Sequence, residues 1–302
     1  MVNPKQQALA PGLYLVATPI GTARDITLRT LDILASAEVI AAEDTRSLRK
    51  LMDIHGIALG DRPLVAYHDH NGAKARPRLL RALEEGRSVV YASEAGTPMV
   101  ADPGYDLARA AVAEGHPLTS APGPSAVIAA LTVSGLPTDQ FFFAGFLPNA
   151  TGKRKTALRA LEAVPGTLVF YESPKRAAAM LRDAAEVLGA ERQAAVCREL
   201  TKKFEEVLRG SLADLADLCA DRALKGEIVV LVDRGRLPKI RESDLETKLV
   251  EALKEASVRD AADRVSAELG LKRRHVYQRA LELDKARGGD LGAGGTQEGD
   301  GE

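Results

Sequence analysis

The chain has 302 residues, 45% of them hydrophobic, and a formal net charge of −1, which argues against a nucleic-acid binder working through bulk charge but leaves room for local basic patches. Tryptophan is absent and aromatics make up 4%, so alanine, leucine and valine must fill a core sized for two modest domains, as suits helices packed on a parallel sheet. No apolar run reaches the roughly 18 residues of a membrane span, the start has no signal pattern, and Cys197 and Cys219 are isolated, so we expect a cytoplasmic protein without membrane, disulfide or metal.

In chain order, residues 13–17 (LYLVA) read as a buried strand that ends in TPIGTARD. Asp25 or Thr27 then caps a helix carrying Leu28, Leu31, Leu34 and Ala35 at helical spacing. A second strand, 38–42, stops at Glu43-Asp44-Thr45-Arg46, and its helix runs to His55 before Gly56. A third, 64–67, enters His68-Asp69-His70-Asn71 and is followed by a helix over 77–85. The fourth, 87–92, runs into SEAGTPMVADPGY, then a helix with Leu107, Ala110, Ala111 and Ala113 along one face, and a fifth strand near 116–120. At APGPSA, Pro124 or Ser125 opens an alanine-rich helix to Val133.

Four strands thus end in polar or glycine-rich residues, and right-handed crossovers would bring those loops to one rim, where α/β sheets hold ligands. A second α/β unit has strands at 141–144, 167–171, 193–197, 204–209 and 227–232, with helices near 153–163, 174–188 and 211–223. The helix-free stretch CRELTKKFEEVLRG predicts an antiparallel portion and hence a mixed sheet. Three short helices, 243–256, 258–269 and 272–283, form a helix-turn-helix-like extension, and the tail from Arg287 has the glycine-rich, acidic composition of a disordered segment. The expected domains are 11–122, 123–238, 239–286 and the tail 287–302.

The chemistry rests on clusters. His68 and His70 flank Asp69, but no third ligand is evident, so a polar rim fits better than a metal site. Glu43 and Asp44 could supply a general base, and Asp44 equally could cap the following helix. Lys153-Arg154-Lys155 and Lys272-Arg273-Arg274 are two basic handles for a polyanion. No GxxxxGK[ST], no GxGxxG in phosphate-binding context and no ordered Ser/His/Asp triad is present, which weakens kinase, ATPase and dehydrogenase readings.

LYLVATPIG, DITLRTL, AAEDTR, YHDHN, SEAGTPMVADPGY, APGPSA, SGLPTDQFFFAGFLP, FYESPKR, CRELTKKFEEVLRG and KGEIVVLV occur in one order over about residues 12–233, and together they resemble the ribosomal RNA small subunit methyltransferase I family of the tetrapyrrole-methylase superfamily. The resemblance implies two α/β domains with S-adenosylmethionine in the cleft between them, a homodimer, and 2′-O-methylation of a cytidine ribose in the decoding region of 16S rRNA or the 30S subunit. It places the cofactor against Ser93, Glu94, Ala95, Gly96, Thr97, Pro98, Asp102, Pro124, Ser125, Ala126, Tyr171, Glu172, Arg198, Glu199, Leu200, Glu227 and Ile228. The family pattern SDAGTP departs here to Glu94, one methylene longer. Asp44, with Glu43, His68 or His70 as rivals, is the expected base, and Arg46, Lys175 and Arg176 the expected phosphate contacts beside the two basic runs. Methylation of a small tetrapyrrole and a non-catalytic nucleic-acid regulator are the alternatives.

Overall fold

The computed structural model describes residues 4–235, 242–269 and 271–290. They divide into two compact units, one ending at Gly235 and one beginning at Arg236.

The first unit opens with β1 (Gly12–Val16), α1 (Leu28–Ser36), β2 (Val39–Ala42), α2 (Thr45–Ile54), β3 (Leu64–Ala66), α3 (Gly72–Glu84), β4 (Ser88–Ala92), α4 (Gly104–Ala113) and β5 (Leu118–Ala121). The strands form an all-parallel sheet in the order β3-β2-β4-β1-β5. Every residue of β2 and β4 is buried, because helices cover both faces; this is why those strands read as unbroken apolar runs. Leu79, Leu83, Leu107 and Ala111 pack one face, and Leu31, Leu34, Leu48 and Met52 the other.

The chain continues through α5 (Ala126–Ser134), β6 (Phe141–Phe146), α6 (Thr151–Ala160), β7 (Thr167–Glu172), α7 (Ala177–Leu188), β8 (Gln193–Arg198), β9 (Glu206–Ser211), α8 (Leu212–Ala220) and β10 (Ile228–Val232). The second sheet, β6-β7-β10-β8-β9, is mixed: β6 runs parallel to β7, and the other pairs are antiparallel. The expected antiparallel portion is the β8–β9 hairpin. Strand alternation divides this sheet cleanly. Leu168, Phe170, Val196, Ile228 and Val230 face α6, α7 and α8, whereas Val169, Ala195, Cys197, Val229 and Leu231 face α5.

The second unit holds α9 (Glu242–Ala252), α10 (Val258–Leu269) and α11 (Arg273–Asp290), closed around Leu245, Leu249, Ala262, Val265, Val276 and Ala280.

Three expectations need correction. α3 begins at Gly72, before the expected 77, with Pro77 inside it. There the proline forfeits the backbone N–H hydrogen bond to the Ala73 carbonyl, a loss that the Ala-, Leu- and Arg-rich sequence tolerates. α7 starts at Ala177 rather than 174, since Pro174 and its neighbours form the preceding turn. α11 reaches Asp290, so residues 287–290 are helical rather than part of a disordered tail; 291–302 and the junction 236–241 lie outside the described residues.

Candidate active site

The carboxyl ends of the parallel strands build the site. Thr18, just beyond β1, and Gly96, beyond β4, exchange two backbone hydrogen bonds of 3.0 Å. Thr18 Oγ1 donates to the Ser93 carbonyl at 3.2 Å, Ser93 Oγ to the Gly96 carbonyl at 2.6 Å, and Thr97 Oγ1 to the Pro124 carbonyl at 2.8 Å. Three strand-end loops are thereby locked together. Gly96 has φ 82°, and Met99 and Ala101 hold φ 72° and 57°, a left-handed backbone that is costly for side-chain-bearing residues and concentrates at functional sites. Across the site Glu199 and Thr201 do the same, at 52° and 62°.

Between these loops and the second sheet lies a cavity of about 450 Å³. It brings together Glu43 and twelve of the other expected residues: Glu94, Ala95, Gly96, Thr97, Asp102, Ser125, Ala126, Tyr171, Glu172, Leu200, Glu227 and Ile228. Ser93, Pro98, Pro124, Arg198 and Glu199 do not line it. Ser93 and Pro124 act behind the wall through the loop bonds above. Arg198 is turned to Glu206 (Nε–Oε2 3.2 Å), and Glu199 is a brace that accepts from Glu227 N at 3.0 Å and from Lys202 Nζ at 2.8 Å.

Sequence reasoning missed Ile20, Val100, Ala101, Phe146, Ser173, Pro174, Cys197, Gly226 and Val229. Cys197 and Val229 follow from the pleat: they share the α5 side of their strands with Tyr171 and lie where α5 leaves that face open. Phe146 is 60% exposed and meets Tyr171 edge to face, with ring centroids 5.6 Å apart. Gly226 has φ 89°, and a Cβ there would come within 2.3 Å of the Glu199 side chain.

Charge defines the cavity. Five carboxylates, those of Glu43, Glu94, Asp102, Glu172 and Glu227, line it, and among the described residues no lysine, arginine or histidine does. Burial pushes the Glu43 carboxyl above its usual pKa against the Glu94 amide that donates to it, and the neighbouring Asp102 and Glu94 carboxylates push it further. Asp102 is fixed from three sides: Tyr91 OH lies 3.0 Å from both its oxygens, and Gly104 N and Met99 N donate to Oδ1 at 2.7 and 3.2 Å. Glu172 is 3% exposed; its Oε1 accepts from Ser173 N at 2.7 Å, while Oε2 sits 3.2 Å from Arg176 Nη2 without the alignment of a hydrogen bond.

Asp44, the first-choice base, is occupied elsewhere. It caps α2 by accepting from Arg46 N and Ser47 N, and its bonds to the Arg46 side chain and amide hold its carboxyl below the usual range. It does not line the cavity, whereas Glu43 does. His68 lines a second cavity, with Tyr67, Asp69, Arg76, Tyr105 and Asp106, that shares Asp102 with the first; His70 is exposed and lines neither.

The basic residues divide similarly. Arg46, Lys153, Lys175, Lys272, Arg273 and Arg274 are exposed, with Arg273 paired to Asp263. Arg154 is not a surface handle: it is 4% exposed, and its Nε and Nη2 lie 2.6 Å from Asp183 Oδ2. Lys155 reaches Glu186 at 2.5 Å, and Arg176 is tethered to Asn149 and the Leu147 carbonyl. Among the described residues no three His, Cys, Asp or Glu side chains are grouped to hold a metal, and no helix is long and apolar enough to cross a membrane.

The profile of the tetrapyrrole (corrin/porphyrin) methylases matches residues 12–216, and that of the RsmI C-terminal HTH domain matches residues 241–284. The ribosomal RNA small subunit methyltransferase I of Mesorhizobium japonicum is 49% identical over 286 residues, covering 94% of this chain and 96% of that one. Its namesake from Mycobacterium tuberculosis H37Rv is 43% identical over 279 residues, covering 92% and 97%. Among solved structures the methyltransferase CobJ superposes with TM-score 0.57 at 21% identity over 74% of this chain and 94% of its own. Uroporphyrin-III C-methyl transferase from Thermus thermophilus, solved with S-adenosyl homocysteine, does so with TM-score 0.52 at 20% identity, covering 74% and 97%. With its two-sheet α/β body, its acidic cavity at the strand ends and its helical C-terminal unit, the chain belongs to the ribosomal RNA small subunit methyltransferase I family of tetrapyrrole-methylase-fold enzymes.

Proposed function

We propose that the cavity binds S-adenosylmethionine and that the enzyme methylates the 2′-hydroxyl of a cytidine ribose in the decoding region of 16S rRNA. The carrying observation is the five-carboxylate lining without a basic residue. Such a cavity favours a cationic ligand and repels phosphate-bearing nucleotides. The cofactor supplies an electrophilic methyl on a sulfonium cation. Glu172, whose buried Oε2 lacks a hydrogen bond, and Glu227 would accept from its ammonium and hydroxyl groups; the strained loop 94–101 would offer backbone amides, and Tyr171 and Phe146 an aromatic wall.

Glu43 is the proposed general base. A carboxyl with a raised pKa is better matched to a weakly acidic alcohol than the tied-down Asp44, and Asp102 beside it orients the incoming hydroxyl. Orientation and proton removal are what the protein must add to so reactive a donor. Arg46, Lys153, Lys175, Lys272 and Arg274 are proposed to touch RNA phosphates, and Arg154 is withdrawn from that set. The local basic run Lys272-Arg273-Arg274 and the helix-turn-helix-like unit that carries it favour RNA over a small tetrapyrrole. We further propose a cytoplasmic homodimer, supported by the exposed Phe141 and Phe142 on edge strand β6.

Purified enzyme should bind S-adenosylhomocysteine by calorimetry and transfer labelled methyl to 30S subunits from cells lacking the protein. Ribose mapping should then find one 2′-O-methylcytidine. Label on a base, or on no nucleotide of 16S rRNA, overturns the reading.

A further inference from the structure

Next to the acidic cavity is a second one of about 330 Å³, walled by the end of β3 and the start of α4, and Asp102 belongs to both. Its contents differ from those of its neighbour. Tyr105 is 54% exposed, with the Arg109 guanidinium 5.7 Å from its ring centroid. Arg76 is held by Tyr67 OH (3.3 Å) and Asp106 Oδ2 (3.1 Å), which leaves Nη1 without a hydrogen-bond partner among the described residues. The His68 backbone N–H donates to Asn71 Oδ1 at 2.8 Å, and Asp69 beside it makes no ion pair among the described residues. Tyr67 is buried and meets Tyr91, the residue that clamps Asp102, edge to face at 5.7 Å.

We propose that this second cavity is the acceptor pocket for the target nucleotide's base, extruded from the rRNA and specific for cytosine; the assignment rests on the methyltransferase reading above. Sequence-specific recognition of RNA favours unstacked bases splayed onto aromatic and guanidinium planes and read on their polar edges. The pocket supplies what an unstacked pyrimidine needs. Tyr105 is an open aromatic platform, Arg76 and His68 are donors for the base's ring nitrogen and carbonyl oxygen, and Asp69 is an acceptor for the exocyclic amine that distinguishes cytosine from uracil. A base seated there brings its ribose to Asp102, with Glu43 on the other side, so one residue marks the border between base recognition and proton removal.

The test uses full-length protein loaded with S-adenosylhomocysteine and saturation-transfer NMR with cytidine 5′-monophosphate and uridine 5′-monophosphate as probes. Cytidine monophosphate should give the stronger signal in wild type. Tyr105→Ala should abolish it, Tyr105→Phe should retain it, and Asp69→Asn should equalise the two nucleotides. Steady-state methylation of 30S subunits should show KM raised roughly ten- to a hundredfold in Tyr105→Ala, the range a lost stacking platform gives, and near wild-type values in Tyr105→Phe. Equal nucleotide signals in wild type and Tyr105→Ala, or an unchanged KM, overturn the pocket while leaving the methyltransferase reading intact. A wild-type enzyme that methylates no 30S subunit sinks that reading, and the nucleotide signals still decide the pocket.

Discussion

Glu43 at the end of β2 and Asp102 at the head of α4 line the same acidic cavity, and the Asp102 carboxylate adds to the burial that pushes the Glu43 carboxyl above its usual pKa. Because the Glu43 pKa is raised above 4.5, the protonated form is the one the fold prefers. Its stabilising contribution is complete below the unfolded value and is lost as pH rises through the folded one. At neutral pH an ionised Glu43 therefore strains the fold in return for basicity. Glu43→Gln should raise Tm at pH 7 and lower single-turnover methylation by on the order of a hundredfold or more, and the acid limb of the rate profile should vanish with it. Near wild-type turnover in this variant would eliminate Glu43 as the base.

Gly104 opens α4 under the Tyr91 ring. A Cβ there would lie 2.4 Å from Tyr91 Cε1 and 2.7 Å from Asp102 Oδ1. Replacing glycine by alanine in a helix normally stabilises by up to about 1 kcal/mol. Here the sign should reverse, with Gly104→Ala destabilising by roughly 1–3 kcal/mol through overpacking and weakening S-adenosylhomocysteine binding as Asp102 shifts. Urea unfolding and calorimetry read the two effects.

The Arg154–Asp183 pair is buried between α6 and α7, with side chains 5% and 10% exposed. Truncating one partner strands a buried charge, so Arg154→Ala should cost about 3–5 kcal/mol in chemical denaturation. If its role is purely structural, the folded fraction should show an unchanged KM for 30S subunits. Lys153→Ala, on the exposed side of the same helix, should do the opposite.

Both cysteines are buried, and burial pushes the Cys197 thiol up to about 11 and the Cys219 thiol above its usual value. A thiol so far from ionising is a poor nucleophile. Native protein at pH 8 should react with neither equivalent of a disulfide reagent on the minute timescale, and with both after denaturation. Rapid labelling of Cys197 in the folded protein would show that the cavity wall opens.

Sequence patterning carried most of the parallel sheet, because β1, β2 and β4 are short apolar runs that halt abruptly at Thr18, Glu43 and Ser93, the residues that become the rim. It carried less of the opposite wall. Tyr171 and Glu172 were legible as a strand end, but which residues of β8 and β10 face the cavity depends on antiparallel register and on where α5 stops, and neither is written in local periodicity. The choice between Asp44 and Glu43 was undecidable from adjacent positions. Only the backbone at the start of α2 shows Asp44 folded onto its own helix and Glu43 turned inward. Arg154 misled for a related reason: a charged triplet reads as solvated, yet one helical position in three or four must face the core.

The tyrosines have an optical consequence. With no tryptophan in the chain, ultraviolet emission comes from six tyrosines alone. Tyr171 stands in the wall of the acidic cavity between Phe143 and Phe146, and Tyr105 at the mouth of its neighbour. Adenine stacking near the first and cytosine near the second would quench different fluorophores. Phenylalanine replacement at either position therefore turns the unlabelled enzyme into a separate occupancy gauge for each half of the reaction.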